Sequence, residues 1–175
     1  MNSPYIRIET SQIGENGWTV SGEASGDLLD LDQDPFARAD GPIAYALTVE
    51  KTGQDLLVRG QVEAPVRLRC SRCAQFFSTI VKVSSFLHAY DWEECPEILD
   101  VSTDVREDLL LEIPGFPLCD TRCKGLCPYC GQDLNVAPCG CVSTEETLSP
   151  WSALDELKEF PDSEVPEGDP DQGKM

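Results

Sequence analysis

Histidine is nearly absent from this sequence: His88 is the one example in 175 residues. A Ser/His/Asp triad would have to run through that residue, and no Gly-x-Ser-x-Gly turn accompanies it. His88 sits in Phe86-Leu-His-Ala-Tyr90, a pattern that reads as strand rather than metal ligand. Glycine-rich phosphate loops are also missing. So is any apolar run near the roughly 18 residues needed to span a membrane. Residues 1–10 (MNSPYIRIET) are polar and strand-like, so no signal peptide is expected, and the chain reads as soluble and cytoplasmic. Basic residues are scarce as well, 13 against 32 acids, for a net charge of −19. Such a body repels nucleic acid and anionic membrane as a whole. RNA contact would need a local basic patch or a basic protein partner. The carboxylates are numerous, but no spacing singles out an acid–base pair, and the sequence reads as a non-enzyme.

Cysteine, by contrast, is abundant and clustered. Six of the nine cysteines fall within 119–141: Cys119, Cys123, Cys127, Cys130, Cys139 and Cys141. Cys70-Ser-Arg-Cys73 lies about fifty residues upstream. Thiols two residues apart on a turn can both aim at one tetrahedral Zn²⁺, and in a reducing compartment such pairs are more often metal ligands than disulfides. Two zinc ions per chain are expected. In the local arrangement Cys127, Cys130, Cys139 and Cys141 close one loop at little chain-entropy cost. Cys70 and Cys73 then share a second ion with Cys119 and Cys123. In a crossed, zinc-ribbon arrangement Cys70 and Cys73 pair with Cys127 and Cys130, leaving Cys119, Cys123, Cys139 and Cys141 for the other ion. All-cysteine sites are closed and leave no position for a reacting water, which points to structural metal. Cys127-Pro-Tyr-Cys130 is also a redox dithiol spelling, but Pro138 and the intervening Gly and Asn leave little room for the helix such chemistry uses. Cys95 stands apart as a lone thiol.

The rest of the chain reads as β-rich. Residues 5–9 and 18–21 alternate around Gly14-Glu15-Asn16-Gly17 and suggest a hairpin. Residues 22–42 look irregular, with one short strand or turn at most. Strands are expected over 43–51, 56–69 and 76–90, with 52–55 turning between the first two and Cys70–Cys73 at the tip of the next turn. An acidic connector, 91–100, leads to a helix over 103–113 with Ser102 or Thr103 as its cap. A second short helix follows Ser149-Pro150. The expected fold is α+β: a mainly antiparallel β domain over 1–118 with one or two short helices, and a C-terminal zinc-bound lobe over 119–142. Residues 143–160 form a linker and short helix, and 161–175 an acidic tail read as disordered.

Charge is unevenly spread. Between Arg59 and Lys82 five bases meet a single acid, Glu63. Arg67 and Arg69 share a strand face, Arg72 lies inside the first Cys-x-x-Cys turn, and Arg122 and Lys124 flank Cys123. If Cys70, Cys73, Cys119 and Cys123 share a metal, these five cations converge around it. They would either offset the charge of a tetrathiolate centre or contact RNA or an acidic partner. Residues 91–112 carry nine acids against Arg106, and 142–175 carry ten against Lys158 and Lys174. Those segments suit basic partners or serve as solubilising surface.

Leu68-Arg-Cys70-Ser-Arg-Cys73, followed by Leu118-Cys119-x-x-x-Cys123-Lys-Gly-Leu-Cys127-Pro-x-Cys130-Gly-x-Asp-Leu-Asn135, resembles the YceD-like family. Pro150-Trp-Ser-Ala-Leu154-Asp-Glu-Leu157 resembles its terminal helix. The resemblance covers roughly 43–158, and its specific part is the Cys-Lys-Gly-Leu-Cys-Pro-x-Cys-Gly-x-Asp-Leu-Asn stretch. It implies a non-enzymatic factor that supports accumulation of large-subunit (23S) ribosomal RNA and biogenesis of the large subunit. The partners would be ribosomal precursor RNA, or basic ribosomal or processing proteins. The alternatives are a zinc-stabilised interaction adaptor unrelated to ribosomes and a thiol redox protein acting through Cys127 and Cys130.

Overall fold

The computed structural model describes residues 3, 5–14 and 17–141. The expected helix after Ser149-Pro150 and the acidic tail lie outside these residues. Internal packing divides the chain into two units, Met1–Cys139 and Gly140–Met175, and every element below belongs to the first.

Among the described residues seven strands form: β1 (Arg7–Glu9), β2 (Trp18–Ala24), β3 (Ala37–Ala39), β4 (Ile43–Thr52), β5 (Asp55–Arg69), β6 (Phe76–Asp91) and β7 (Ile98–Asp100). One α-helix, α1 (Ser102–Leu111), is present among the described residues. The architecture is therefore mainly antiparallel sheet with a single helix and short 3-10 turns, as the patterning predicts. β5 is the spine. β6 pairs along one edge for its whole length, while β4 pairs with residues 55–63 of the other edge and β3 continues that edge at 66–68. β2 adds outside β4.

Period-two alternation decides which face is buried. On β5 the even positions Leu56, Val58, Val62, Ala64, Val66 and Leu68 point into the core, while Arg59, Gln61, Arg67 and their neighbours point out. On β6, Val81 and Val83 are buried, but the next buried residue is Phe86. The parity changes because Ser84 and Ser85 together oppose Gln61, a bulge of one extra residue between the Gly60–Phe86 and Val62–Val83 pairs. Gly60 is required here by close approach: a Cβ would lie 2.1 Å from the Ala46 carbonyl oxygen. Past the bulge, His88 and Tyr90 turn toward α1. His88 Nε2 lies 3.1 Å from Asp108 Oδ2, and the Tyr90 hydroxyl donates to Asp104. Burial, reinforced by Asp104 and Asp108, holds the Tyr90 phenol protonated well above its usual range. His88 is thus a strand residue that ties the helix to the sheet.

Two local expectations are corrected. The 5–9 and 18–21 segments do not pair as a hairpin. β1 pairs with β7, drawn from what reads as an acidic connector, and β2 pairs with β4. Hydrophobic closure explains it: Ile6, Ile8, Leu99 and Val101 are all buried in the core, together with Val105 and Leu109 of α1. Ser102 is also not a helix cap. The α1 cap position is Val101 with no side-chain bond. Asp100 instead accepts from the Ser102 amide at 3.0 Å, and the Ser102 hydroxyl accepts from the Ile6 amide at 2.8 Å.

Ile6 is fully buried and Ser102 is 6% exposed, so Ser102→Ala leaves a buried N–H without an acceptor. The expected cost is about 1–3 kcal/mol in urea unfolding, with metal content unchanged.

Candidate metal centres

The β5–β6 connection is a Cys-x-x-Cys turn. Cys70 N–H donates to the Gln75 carbonyl (2.9 Å), Ala74 N–H donates to the Cys70 carbonyl (2.9 Å), and Ala74 takes a left-handed φ of 58°. The turn at Cys127–Cys130 repeats this pattern. Cys127 N–H donates to Gln132 (2.8 Å), Gly131 N–H donates to Cys127 (2.9 Å), and Gly131 has φ 73°. The flanking sequences share little, yet the backbone is the same, because in both the residue after the second cysteine must turn left-handed. Gly131 does so freely, whereas Ala74 carries a Cβ into a region that costs about 1–2 kcal/mol.

The thiols assemble in the local arrangement. Cys70, Cys73, Cys119 and Cys123 form one group and Cys127, Cys130, Cys139 and Cys141 the other. Within each group the sulfurs lie within 4.8 Å of one another. The crossed arrangement is not the one formed. In the first group the Cys70 and Cys123 sulfurs are 3.9 Å apart and those of Cys73 and Cys119 are 3.7 Å apart. A tetrahedral ion with Zn–S bonds near 2.3 Å requires sulfur separations of about 3.8 Å. The donor set and its spacing thus fit a tetrahedral ion preferring sulfur.

The chain pre-arranges the charge such an ion needs. Burial opposes ionisation of Cys70, but amides of Cys119, Cys73 and Arg72 together outweigh it and bring the thiol down to about 6. Backbone donors at Cys130 and Tyr129 bring Cys127 down to about 6 in the same way. Cys119, facing Cys123, Cys70 and Cys73, is pushed up to about 12, since a further negative sulfur among them is unfavourable. A cation removes that conflict, which is the electrostatic case for a metal at this spot. Cys95 belongs to neither group. It packs against the main core, and burial pushes its thiol up.

A strap of residues 117–126 wraps the first turn. Ser71 N–H donates to the Pro117 carbonyl (2.8 Å) and Leu126 N–H to the Arg72 carbonyl (3.0 Å). The Arg72 guanidinium donates to the carbonyls of Thr121 (3.2 Å) and Cys123 (3.0 Å). Arg72 therefore fastens strap to turn. Arg122 lies 3.7 Å from Asp120 and is 91% exposed at its side chain. Lys124 is exposed, with its amide held by Asn135 Oδ1 at 2.8 Å. Arg67 and Arg69 lie on the outer sheet face, where Arg69 Nε reaches the Ala74 carbonyl at 3.0 Å. The five cations thus do not converge on one centre, and one further cation that sequence reasoning passed over, Arg38, joins Arg67 over the Phe76 ring on the sheet.

Sequence reasoning also missed Asn135 as an orienting group. Its amide nitrogen donates to the Cys123 sulfur (3.4 Å) and to Asp133 Oδ1 (2.8 Å), while its oxygen accepts from Lys124. Leu134 N–H donates to the Gly125 carbonyl at 2.9 Å. The Gly-x-Asp-Leu-Asn sequence after Cys130 was the available signal: it folds back from the second thiol group to orient a ligand of the first.

Outer-shell partners of metal ligands typically contribute 10–100-fold to affinity. Asn135→Ala is expected to weaken one of two bound ions about tenfold in a competitive chelator titration, leaving the other unchanged. Cys95→Ser should retain the full metal content by elemental analysis, whereas Cys123→Ser should lose one ion.

Residues 58–158 match the family described as large ribosomal RNA subunit accumulation protein YceD. An uncharacterised protein of Mycobacterium tuberculosis (strain ATCC 25618 / H37Rv) is 31% identical over 147 residues, covering 75% of this chain and 63% of that protein. An uncharacterised protein of Mycobacterium leprae is 30% identical over 126 residues, 64% of this chain and 57% of that one. The chain therefore spans about 57–63% of the length of these curated relatives. The large ribosomal RNA subunit accumulation protein YCED homolog 1, chloroplastic, of Arabidopsis thaliana is 37% identical over 75 residues, 39% of this chain and 23% of that protein. No solved structure matches. With more than half of its length matched, including both Cys-x-x-Cys turns and the Asn135 motif, the chain belongs to the YceD family of large ribosomal RNA subunit accumulation proteins.

Proposed function

We propose that this protein is a non-enzymatic factor, built around two structural Zn²⁺ ions, that supports accumulation of large-subunit ribosomal RNA and biogenesis of the large subunit. The observation that carries the reading is the coincidence of family and site. The matched region of a family named for ribosomal RNA accumulation contains all eight clustered thiols, arranged as two closed four-sulfur groups. Such sites shape a surface and offer no open coordination position for chemistry.

The chain's own residues do the holding. Cys70 and Cys73 fix the end of the β5–β6 hairpin to the strap bearing Cys119 and Cys123, with Arg72 and Asn135 orienting the joint. When bound, zinc supplies the positive charge that lets four thiolates occupy one site. The net charge of −19 makes basic ribosomal or processing proteins suitable partners for the body of the molecule, and confines direct RNA contact to a local patch. The cytoplasm, or the equivalent reducing compartment of an organelle, is where such thiol sites persist. Among the described residues no helix is long and apolar enough to cross a membrane.

A tagged protein recovered from growing cells should bring down precursors of the large-subunit RNA in excess over small-subunit RNA, and its depletion should lower the large-subunit RNA level. Equal recovery of both RNAs, with levels unaffected by depletion, would leave a zinc-stabilised adaptor unrelated to ribosomes.

A further inference from the structure

In a chain with 32 acids and 13 bases, most cations are expected to find a carboxylate. On the sheet Arg59 pairs with Glu50 at 2.8 Å and Lys82 with Glu63 at 2.6 Å. Elsewhere Arg7 lies 3.8 Å from Asp100 and Arg122 lies 3.7 Å from Asp120. Other cations of the described residues, Arg69 and Arg72 included, have no carboxylate at that distance; at the metal end of the outer sheet face two such cations lie side by side. Arg38 on β3 and Arg67 on β5 are direct cross-strand partners, and both are exposed. Among the described residues neither has a carboxylate within ion-pair distance. The nearby acid, Asp40, is engaged by the Ser78 hydroxyl at 2.7 Å.

What Arg38 and Arg67 do share is a ring. Their guanidinium carbons lie 5.1 and 6.0 Å from the centroid of Phe76, the cross-strand partner of Arg69. Ile80, 64% exposed, follows on the same face opposite Pro65. Two cations held over an aromatic ring, next to an open apolar side chain on a sheet face, form a surface of a particular kind. Phe76, half-buried, backs the two guanidiniums, whose edges are left to donate to phosphate and whose outer planes are left to stack on nucleobases. A carboxylate-rich peptide would use the charges but would gain little from the ring. A duplex would present phosphates but keep its bases stacked away.

We infer that Arg38, Arg67 and Phe76 form a stacking platform for single-stranded RNA. The inference rests on the ribosomal-RNA reading above for its biological setting, but not for its geometry. It differs from a ring of cations around the metal, because Arg72 is committed to the strap carbonyls and the platform lies on the sheet. The metal's part is indirect: Phe76 opens β6 just beyond the Cys70–Cys73 turn, and the ion fixes where β6 starts.

The test uses the zinc-loaded full chain and a fluorescein-labelled single-stranded RNA of about 12 nucleotides, its matching duplex, and polyglutamate as competitor, read by anisotropy between about 50 and 200 mM KCl. The expected result is single-strand binding tighter than duplex binding, with two phosphate contacts giving a log–log salt slope near −1.4. The double variant Arg38→Ala/Arg67→Ala should weaken binding at least about tenfold and flatten the slope. Phe76→Leu, which keeps an apolar strand residue, should weaken it about fivefold or more with the slope retained. Circular dichroism and metal content establish that both variants are folded. Wild-type affinity in both variants, equal binding of duplex, displacement by polyglutamate as readily as by RNA, or no single-strand binding would each overturn the platform. Failure of the platform is separable from failure of the proposed function. A wild-type protein that recovers large-subunit precursors from cells but binds no single strand in isolation retains the role and loses the platform. One that binds single strands as expected, but recovers no precursors, retains the platform and loses the role.

Discussion

Four sulfurs cannot share a space less than 5 Å across as thiolates unless a cation neutralises them, and that constraint organises the metal end of this protein. Amide donors lower Cys70 while its neighbours raise Cys119, so the group is divided against itself until an ion is present. An ion held by this group would join a hairpin tip to a strap some fifty residues later in the chain. The strap contributes little apolar burial: Leu118 is 37% exposed and Leu126 39%. Its attachment depends instead on Cys119, Cys123, the Arg72 guanidinium and a few backbone bonds. Metal binding and folding of the strap would therefore be coupled.

The body of the fold rests on different physics. β5 and β6 are long alternating strands, β6 with one bulge, and their buried side chains close on Ile6, Ile8, Leu99, Val101 and α1. This division explains what could be read from the residues. The three long strands, the helix and the thiol sets were legible because each has a local signature: period two, period near four, or paired cysteines. The β1–β7 pairing was not legible, since it joins segments ninety residues apart and each strand has three residues. The β6 bulge hid behind Ser84 and Ser85, which read as ordinary outward positions. Ser102 looked like a helix cap because its hydroxyl suits that role, yet tertiary closure uses it for the Ile6 amide.

The site was partly legible for the same reason. Cysteine spacing signals a metal group but does not say which side chains orient it, so Asn135, twelve residues from Cys123, was read as part of the family motif and not as an orienting group. Nor does a count of arginines distinguish a guanidinium spent on carbonyls, as at Arg72, from one left over a ring, as at Arg38 and Arg67. That distinction needs the cross-strand register, in which residues from β3, β5 and β6 meet on one face. The picture that results is an acidic molecule in which Arg38, Arg67 and Phe76 form a basic–aromatic surface at the end of the sheet that carries the first thiol group.

The central claim is that two all-sulfur ions hold this surface in shape, and X-ray absorption at the zinc edge of the purified full chain tests it most directly. The account predicts two zinc ions per chain, each with four sulfur neighbours at about 2.3 Å and no nitrogen or oxygen ligands. A single ion per chain, a mixed shell containing oxygen or nitrogen, or a protein whose cysteines are joined as disulfides would contradict it.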